Sequence, residues 1–338
     1  MVFHLGVLKH LAERGLLESV ERVSTVSGGS LLVGLMLQQN QMSWPTSEQF
    51  LTHSLPTLRE ALCTRSLQWG AARQLFNPCN WRFLLSRANL LALALQKEWL
   101  VTSTLADLPE GPEWSINGTT AESGKRFRFK RLDIGEYTLG YASAAHFPLA
   151  SALAVSAALP GGFGPLALKA ESYEWRKRPW DAPPESAEPI APAFSRLHLY
   201  DGGVYDNLGL EPFFDAGRQS PKQEGCYIIC SDAGAPLAPG FDMGPLNAVR
   251  LMRVADIMSD QSRSLRVRTL VNYLQKTPSS GAYLNINTPA AANGDRQLTK
   301  FATSFPTTLR RLSYIEFDKL AAHGAAVAER VRAEFGLL

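Results

Sequence analysis

The sequence is poor in charge, in cysteine and in segments of biased composition, and each shortage removes a class of function. Asp, Glu, Lys and Arg make up 19% of the 338 residues, with 34 basic side chains interleaved among 31 acidic ones and a net charge of +3. No block of like charge reads as a nucleic-acid arm or a polybasic anchor, so nucleic acid is not expected as a partner. Four cysteines, Cys63, Cys79, Cys226 and Cys230, are too few and too unevenly placed for a disulfide scaffold, and reduced thiols are expected. The opening MVFHLGVLKHL lacks a basic n-region, a long apolar h-region and a small-residue cleavage site, so no secretory leader is visible and a cytoplasmic protein is expected. The uncharged stretch from Tyr137 to Leu168 exceeds the ~20 residues that span a bilayer. Pro148 and Pro160-Gly161-Gly162 divide it into pieces too short to cross.

What is present is a 45% apolar chain in which helix and strand patterns alternate. Val2 to Arg14 has helical spacing, with Gly15 as its C-terminal cap. Val20 to Val26 reads as a strand ending in Ser27-Gly28-Gly29, and Leu31 to Gln38 resumes a helix. Ser47 to Val101 is helical and less regular, whereas Glu113 to Gly140 alternates as short strands and hairpins do. An Ala-rich helix leads to the turn Leu159 to Phe163. Residues 171–195 form a Pro-rich surface loop, with Pro179, Pro183, Pro184, Pro189 and Pro192 opposing regular structure. Leu197 to Tyr200 is a strand running into Asp201-Gly202-Gly203, and Gly225 to Cys230 is another. Pro245 to Leu274 is a long helix, Tyr283 to Ile286 a short strand, and Thr308 to Phe335 two helices broken near Gly324. Strands separated by helices indicate a layered α/β fold, whose active groups lie at strand C-termini.

Two strand ends carry candidate chemistry. Thr25-Val26-Ser27-Gly28-Gly29 has the form of a nucleophile elbow: a tight strand-to-helix turn exposes the serine hydroxyl, and the next N–H faces a developing oxyanion. Thr25 stands where the G-x-S-x-G pattern has its first glycine. The plain alternative is a Ser/Gly turn closing a strand. Asp201-Gly202-Gly203 places a carboxylate where it can act as a base directly on a serine hydroxyl, and its plain alternative is a turn.

Taken in order, FHLGVLKHL, STVSGGS, AVSAALPGGF and YDGGVYDNLGLEP resemble the patatin-like phospholipase family, with weaker likeness near INGT and in TLRRL. The resemblance implies a single domain over 1–338 with a three-layer α/β/α fold and a central, mostly parallel sheet. It implies a Ser-Asp dyad that hydrolyses phospholipid or other acyl-lipid esters. Ser27 would be the nucleophile and Asp201 the base, Gly28 and Gly29 would form the elbow and its oxyanion donor, and Gly202 and Gly203 would open the base loop. Asp206 and Asn207 would fix the turn that follows. No metal or organic cofactor is implied. Family members carry a glycine-rich oxyanion loop before the helix matching Phe3 to Leu11, and this sequence starts after that point. The expectation is therefore an N-terminally incomplete domain, from a start codon assigned too late or a truncated relative that binds lipid or a protein partner without turnover.

The remaining motifs read more plainly. A Ser-Asp-His triad would need His323, otherwise a partly exposed helix histidine. His4, His10, His53 and His146 form no metal-binding pair. Cys226 and Cys230 read as core residues on one strand face, and Gly124-Lys125 lacks the rest of a phosphate loop. Arg250, Arg253, Arg263, Arg266 and Arg268 give the long helix a basic, solvated side. Trp81 to Leu100 mixes aromatic and leucine residues with Arg82, Arg87 and Lys97, which suits either core packing or an interfacial flap at a membrane.

Overall fold

The computed structural model describes residues 1–159, 163–179, 182–237, 239–241, 249–290 and 296–336, apart from the side chains at 184 and 249–252. The turn Pro160-Gly161-Gly162 and the expected helix start at Pro245 lie outside the described residues. The chain opens with α1 (Val2–Ala12), and Gly15, at φ +68°, takes the left-handed turn just beyond it. Strand β1 (Arg22–Thr25) turns at once into α2 (Gly28–Gln39). A helical excursion follows through α3 (Ser47–Gln49), α4 (Leu55–Thr64), α5 (Leu67–Arg73) and α6 (Ala88–Glu98). A meander of β2 (Glu113–Thr120), β3 (Arg126–Phe129), β4 (Asp133–Glu136) and β5 (Gly140–Ser143) precedes α7 (Leu149–Ser156). Next come β6 (Leu166–Lys169), β7 (Trp175–Lys177), β8 (Glu188–Ile190), β9 (Arg196–Asp201) and the short α8 (Gly203–Asp206). The last third holds β10 (Phe214–Asp215), β11 (Ser220–Pro221), β12 (Ile228–Asp232), α9 (Val249–Lys276), β13 (Gly281–Asn285), α10 (Arg296–Ser304) and α11 (Tyr314–Phe335). No described helix is long and apolar enough to cross a membrane.

The main sheet corrects the expectation of mostly parallel strands. Its order is β6-β9-β2-β3-β4-β5-β7-β8, with β1 also on β2. β1–β2 is parallel, and the other pairs in this sheet are antiparallel. The physical reason is connection length: a parallel pair needs a crossover segment, which the helices between β1 and β2 supply, whereas the tight turns joining β2 to β5 permit only hairpins. The Pro-rich stretch 171–195 contributes β7 and β8 to this sheet. Pro189 is accommodated because β8 lies at the sheet edge, where a missing N–H costs no ladder bond.

Period-two alternation gives this sheet an apolar and a polar face. Trp114 and Ile116 of β2, with Phe127 and Phe129 of β3, point into the core shared with Leu31, Leu35, Leu149 and Leu153 of α2 and α7. Ser115, Asn117, Arg126 and Arg128 point the other way. The separate parallel pair β12–β13 carries Ile228 and Cys230 on the face shared with Leu270 of α9, while Ala282 and Leu284 join the main core.

The expected break near Gly324 is not there: α11 runs unbroken through it. Gly324 instead marks the closest approach of α11 to α1. A Cβ on it would lie 2.1 Å from the Phe3 carbonyl oxygen, and one on Gly6 would lie 2.0 Å from that of Ala321. His323, expected to be partly exposed, is fully buried along this seam and packs against Phe3.

Candidate functional site

β1 and β9 occupy the same edge of β2, because each shares a β2 residue with β3, which takes the opposite edge. Ile116 pairs with Thr25 and Phe129, and Gly118 pairs with Asp201 and Phe127. β1 is parallel to β2 and β9 antiparallel, so their C-terminal ends run toward each other and meet beside Asn117. Ser27 follows the end of one strand and Asp201 ends the other. This tip-to-tip junction brings together two residues far apart in the sequence.

At the first tip the backbone is strained. Ser27 has φ +51° and ψ −121°, a conformation that non-glycine residues seldom adopt. Its N–H is drawn inward to the carbonyl oxygen and Oγ of Ser156, at 3.0 and 3.2 Å. Beyond it α2 starts, with the positive end of its dipole at the elbow. The Gly29 N–H is spent on the Val26 carbonyl, whereas the Gly28 N–H has no acceptor among the described residues. The start of α1 packs here too, since a Cβ on Gly28 would lie 3.1 Å from the Met1 nitrogen.

Beneath the elbow runs a chain of buried hydroxyls that the sequence reading did not identify. Trp114 Nε1–H reaches Thr25 Oγ1 at 2.9 Å, Thr25 Oγ1 lies 2.7 Å from Ser30 Oγ, Ser30 Oγ lies 2.8 Å from Ser156 Oγ, and Ser156 Oγ–H donates to the Asn117 carbonyl at 2.7 Å. Each hydroxyl has one proton. Because Ser156 gives its own to a carbonyl, it must accept from Ser30, and Ser30 in turn from Thr25. The chain thus has one direction from Trp114 to Asn117. It also explains the departure at Thr25: a glycine there could not bridge Trp114 to Ser30.

At the second tip Asp201 is 2% exposed. Its N–H donates to the Ala158 carbonyl at 3.1 Å and its carbonyl accepts from Thr119 Oγ1 at 2.8 Å. Oδ1 accepts the Gly203 N–H at 2.7 Å, while Oδ2 has no hydrogen-bond partner among the described residues. Burial pushes this carboxyl up to about 7, against the opposing pull of the Gly203 N–H and the Ser27 side chain. A carboxylate with one oxygen anchored, the other unengaged and a pKa near neutrality has the properties of a general base. Gly202 is required by close approach, since a Cβ there would lie 2.4 Å from the Asn117 carbonyl oxygen.

Asn117 joins both tips. Its Nδ2 donates to Ser24 Oγ and to the Thr25 carbonyl, both at 2.9 Å, and its Oδ1 accepts from the half-buried Arg126 guanidinium at 2.8 Å. The likeness near INGT was the one sequence signal for it. Asp206 accepts the N–H groups of Leu208 and Glu211 and lies 3.7 Å from Arg266, so it holds the loop after the base. Asn207 Oδ1 would meet a Cβ on Gly203 at 2.8 Å, closing the same turn.

His323 does not complete a triad. Its Nε2 engages the Ile286 carbonyl at 2.7 Å, and it has no hydrogen bond to Ser27 or Asp201. Two arginines expected on a solvated helix side face inward instead: Arg263 pairs with buried Asp232 at 3.0 Å and Arg266 with Glu211 at 3.2 Å. All four cysteines are free.

Comparison with solved structures finds the same overall architecture in a human enzyme. Human GIVD cytosolic phospholipase A2 in complex with methyl gamma-linolenyl fluorophosphonate matches with a TM-score of 0.52 at 13% identity, over 98% of this chain and 55% of that one. The same protein with that inhibitor and terbium chloride matches with a TM-score of 0.50 at 15% identity, over 99% and 56%. This chain therefore spans about half the length of those proteins, and the likeness is one of fold. Comparison with curated proteins gives no match. A family model described as patatin-like phospholipase matches residues 1–214 of the 338, a span that contains both strand tips. On that match the chain belongs to the patatin-like phospholipase family.

Proposed function

We propose that this chain is a lipid acyl hydrolase that cleaves phospholipid or other acyl-lipid esters with a Ser27–Asp201 dyad, in the cytoplasm and at membrane surfaces. Ser27 Oγ attacks the ester carbonyl as Asp201 Oδ2 takes its proton, and the Gly28 N–H and the α2 dipole stabilise the oxyanion. Collapse of the tetrahedral intermediate breaks the bond to the alcohol, which leaves with the proton from Asp201. Water then attacks the acyl-serine, Asp201 takes its proton and returns it to Ser27 Oγ, and the fatty acid departs. Apart from the attacking water, every group in the scheme belongs to this chain.

The observation that carries this reading is the meeting of β1 and β9 on one edge of β2, which sets a strained serine beside a buried carboxyl poised near neutral pH. That tuning favours turnover over the other sequence-based reading, an impaired relative that only holds lipid. A fluorophosphonate probe is expected to label the wild-type chain and to leave Ser27→Ala unlabelled. Equal labelling of the two would refute Ser27 as the nucleophile.

Ser156 positions the elbow in this reading. Ser156→Ala removes the acceptor of Ser30 and one acceptor of the Ser27 N–H, and is expected to lower kcat on a short-chain ester by ~10- to 100-fold at nearly unchanged KM, as a small misplacement of a nucleophile does. An unchanged kcat would mean that the Ser156 carbonyl holds the elbow alone.

A further inference from the structure

From α5 to the start of α6 the chain puts large apolar side chains into solvent. Trp69, Phe76, Trp81, Leu84 and Leu85 are all exposed, Phe76 to 88% and Leu85 to 91%. Single exposed hydrophobic residues are ordinary, but five within seventeen positions are not. The segment is also built rather than loose. Asn77 Oδ1 accepts the Cys79 N–H at 3.1 Å, Asn80 Nδ2 donates to the Gln74 carbonyl at 2.9 Å, and Trp81 Nε1 donates to the Leu75 carbonyl at 2.9 Å. The two readings of Trp81 to Leu100 divide accordingly. Phe83 packs on the core, and α6 buries Leu90, Leu91 and Leu95, whereas the turns before it face outward.

Charge and position indicate what covers this surface. From Ala61 to Lys97 the sequence holds five cations, Arg65, Arg73, Arg82, Arg87 and Lys97, and no acid, and of these Arg73 is paired with the adjoining Glu98 at 3.1 Å. Arg82 and Arg87 have no carboxylate within ion-pair distance among the described residues. The surface also adjoins the candidate site. The Ala88 N–H reaches the Gly164 carbonyl at 3.4 Å, Ser86 Oγ donates to the Pro165 carbonyl, and a Cβ on Gly164 would lie 2.4 Å from the Leu85 carbonyl oxygen. That segment leads into β6, which pairs with β9, the strand that ends in Asp201.

We propose that Trp69, Phe76, Trp81, Leu84 and Leu85, with Arg82 and Arg87, form a docking surface for an anionic lipid bilayer. Leucine and phenylalanine tips enter the acyl boundary, tryptophans sit at headgroup depth, and the unpaired guanidinium groups meet lipid phosphates. Its significance as the mouth of the site rests on the hydrolase reading, but the binding itself does not.

The test is cosedimentation of the Ser27→Ala chain with vesicles of phosphatidylglycerol and phosphatidylcholine, or of phosphatidylcholine alone. Binding is expected to be at least ~10-fold tighter to the anionic vesicles and to weaken in 0.5 M salt. Leu84→Asp with Leu85→Asp is expected to lose at least ~10-fold in binding, and Arg82→Glu with Arg87→Glu to lose the anionic preference. These positions are exposed, and an unchanged thermal melt confirms the fold. Absence of vesicle binding before these substitutions, or equal binding after the leucine substitutions, overturns the proposal. A change in self-association with vesicle binding intact assigns the surface to a second copy of the chain and likewise overturns it. Because nucleophile-deficient protein is used, absence of hydrolysis by wild-type protein would refute the hydrolase reading alone.

Discussion

Asp201→Asn is expected to lower kcat/KM on a short-chain ester by ~100- to 10,000-fold, the usual contribution of a positioned general base, while making the protein more stable above neutral pH. Both effects come from the same burial. A carboxyl raised to about 7 in the folded chain is protonated well above its unfolded value near 3.9. Between those values the folded state binds the extra proton, so stability is fully present below ~4 and falls as pH rises through ~7, by roughly 4 kcal/mol in all. An asparagine carries no such charge and loses nothing over that range. The wild-type rate should move the opposite way: kcat/KM rises with pH through a midpoint near 7 and levels off as Asp201 ionises. Urea melts at pH 5 and 9, with a pH–rate profile of the wild type, measure both trends. A variant that keeps wild-type activity, or shows the wild-type loss of stability between pH 5 and 9, would refute the assignment.

Gly324→Ala is expected to cost about 3 kcal/mol or more, far above the ~1 kcal/mol gain or loss of most helix substitutions. Helix propensity alone favours alanine, so the sign of the effect decides between an isolated helix and a packed one. The obstacle is the Phe3 carbonyl oxygen, 2.1 Å from the new Cβ, and it cannot rotate aside as a side chain could. Opening the seam would loosen Phe3, Leu5, Phe317 and Val327, all now in the core. It would also move Met1 from beside Gly28, so activity should fall with stability. Denaturant titration reads the first effect and esterase turnover the second. A midpoint equal to that of the wild type would show that the helices separate freely.

Much of the candidate site is local and was therefore legible. A strand, a tight turn and a helix follow one another from Val20 to Gln38 and could be read in that order along the chain, whereas the positive φ at Ser27 is held by Ser156 from far away in sequence. Likewise, Asp201-Gly202-Gly203 follows its strand by direct succession. Strand direction was not legible in the same way. The alternation at Glu113 to Gly140 indicated hairpins, but the family resemblance implied mostly parallel strands, and the short connections decided the matter. Gly324 misled for a related reason: in sequence a glycine reads as a break, whereas here it is a point of contact.

Residue order and local chemistry by themselves determined a serine at a strand-to-helix turn, a later aspartate at a strand end, and a stretch from Trp81 to Leu100 that mixes aromatic and leucine residues with Arg82, Arg87 and Lys97. Only the tertiary structure decided that β1 and β9 meet on one edge of β2, that Ser30 and Ser156 hold the elbow through Thr25, and which apolar residues of the stretch face solvent. Turn and helix preferences act among neighbouring residues, so they can be read along the chain. Pairing, burial and the pKa of Asp201 arise from groups far apart in sequence, and they exist only once the fold has brought those groups together.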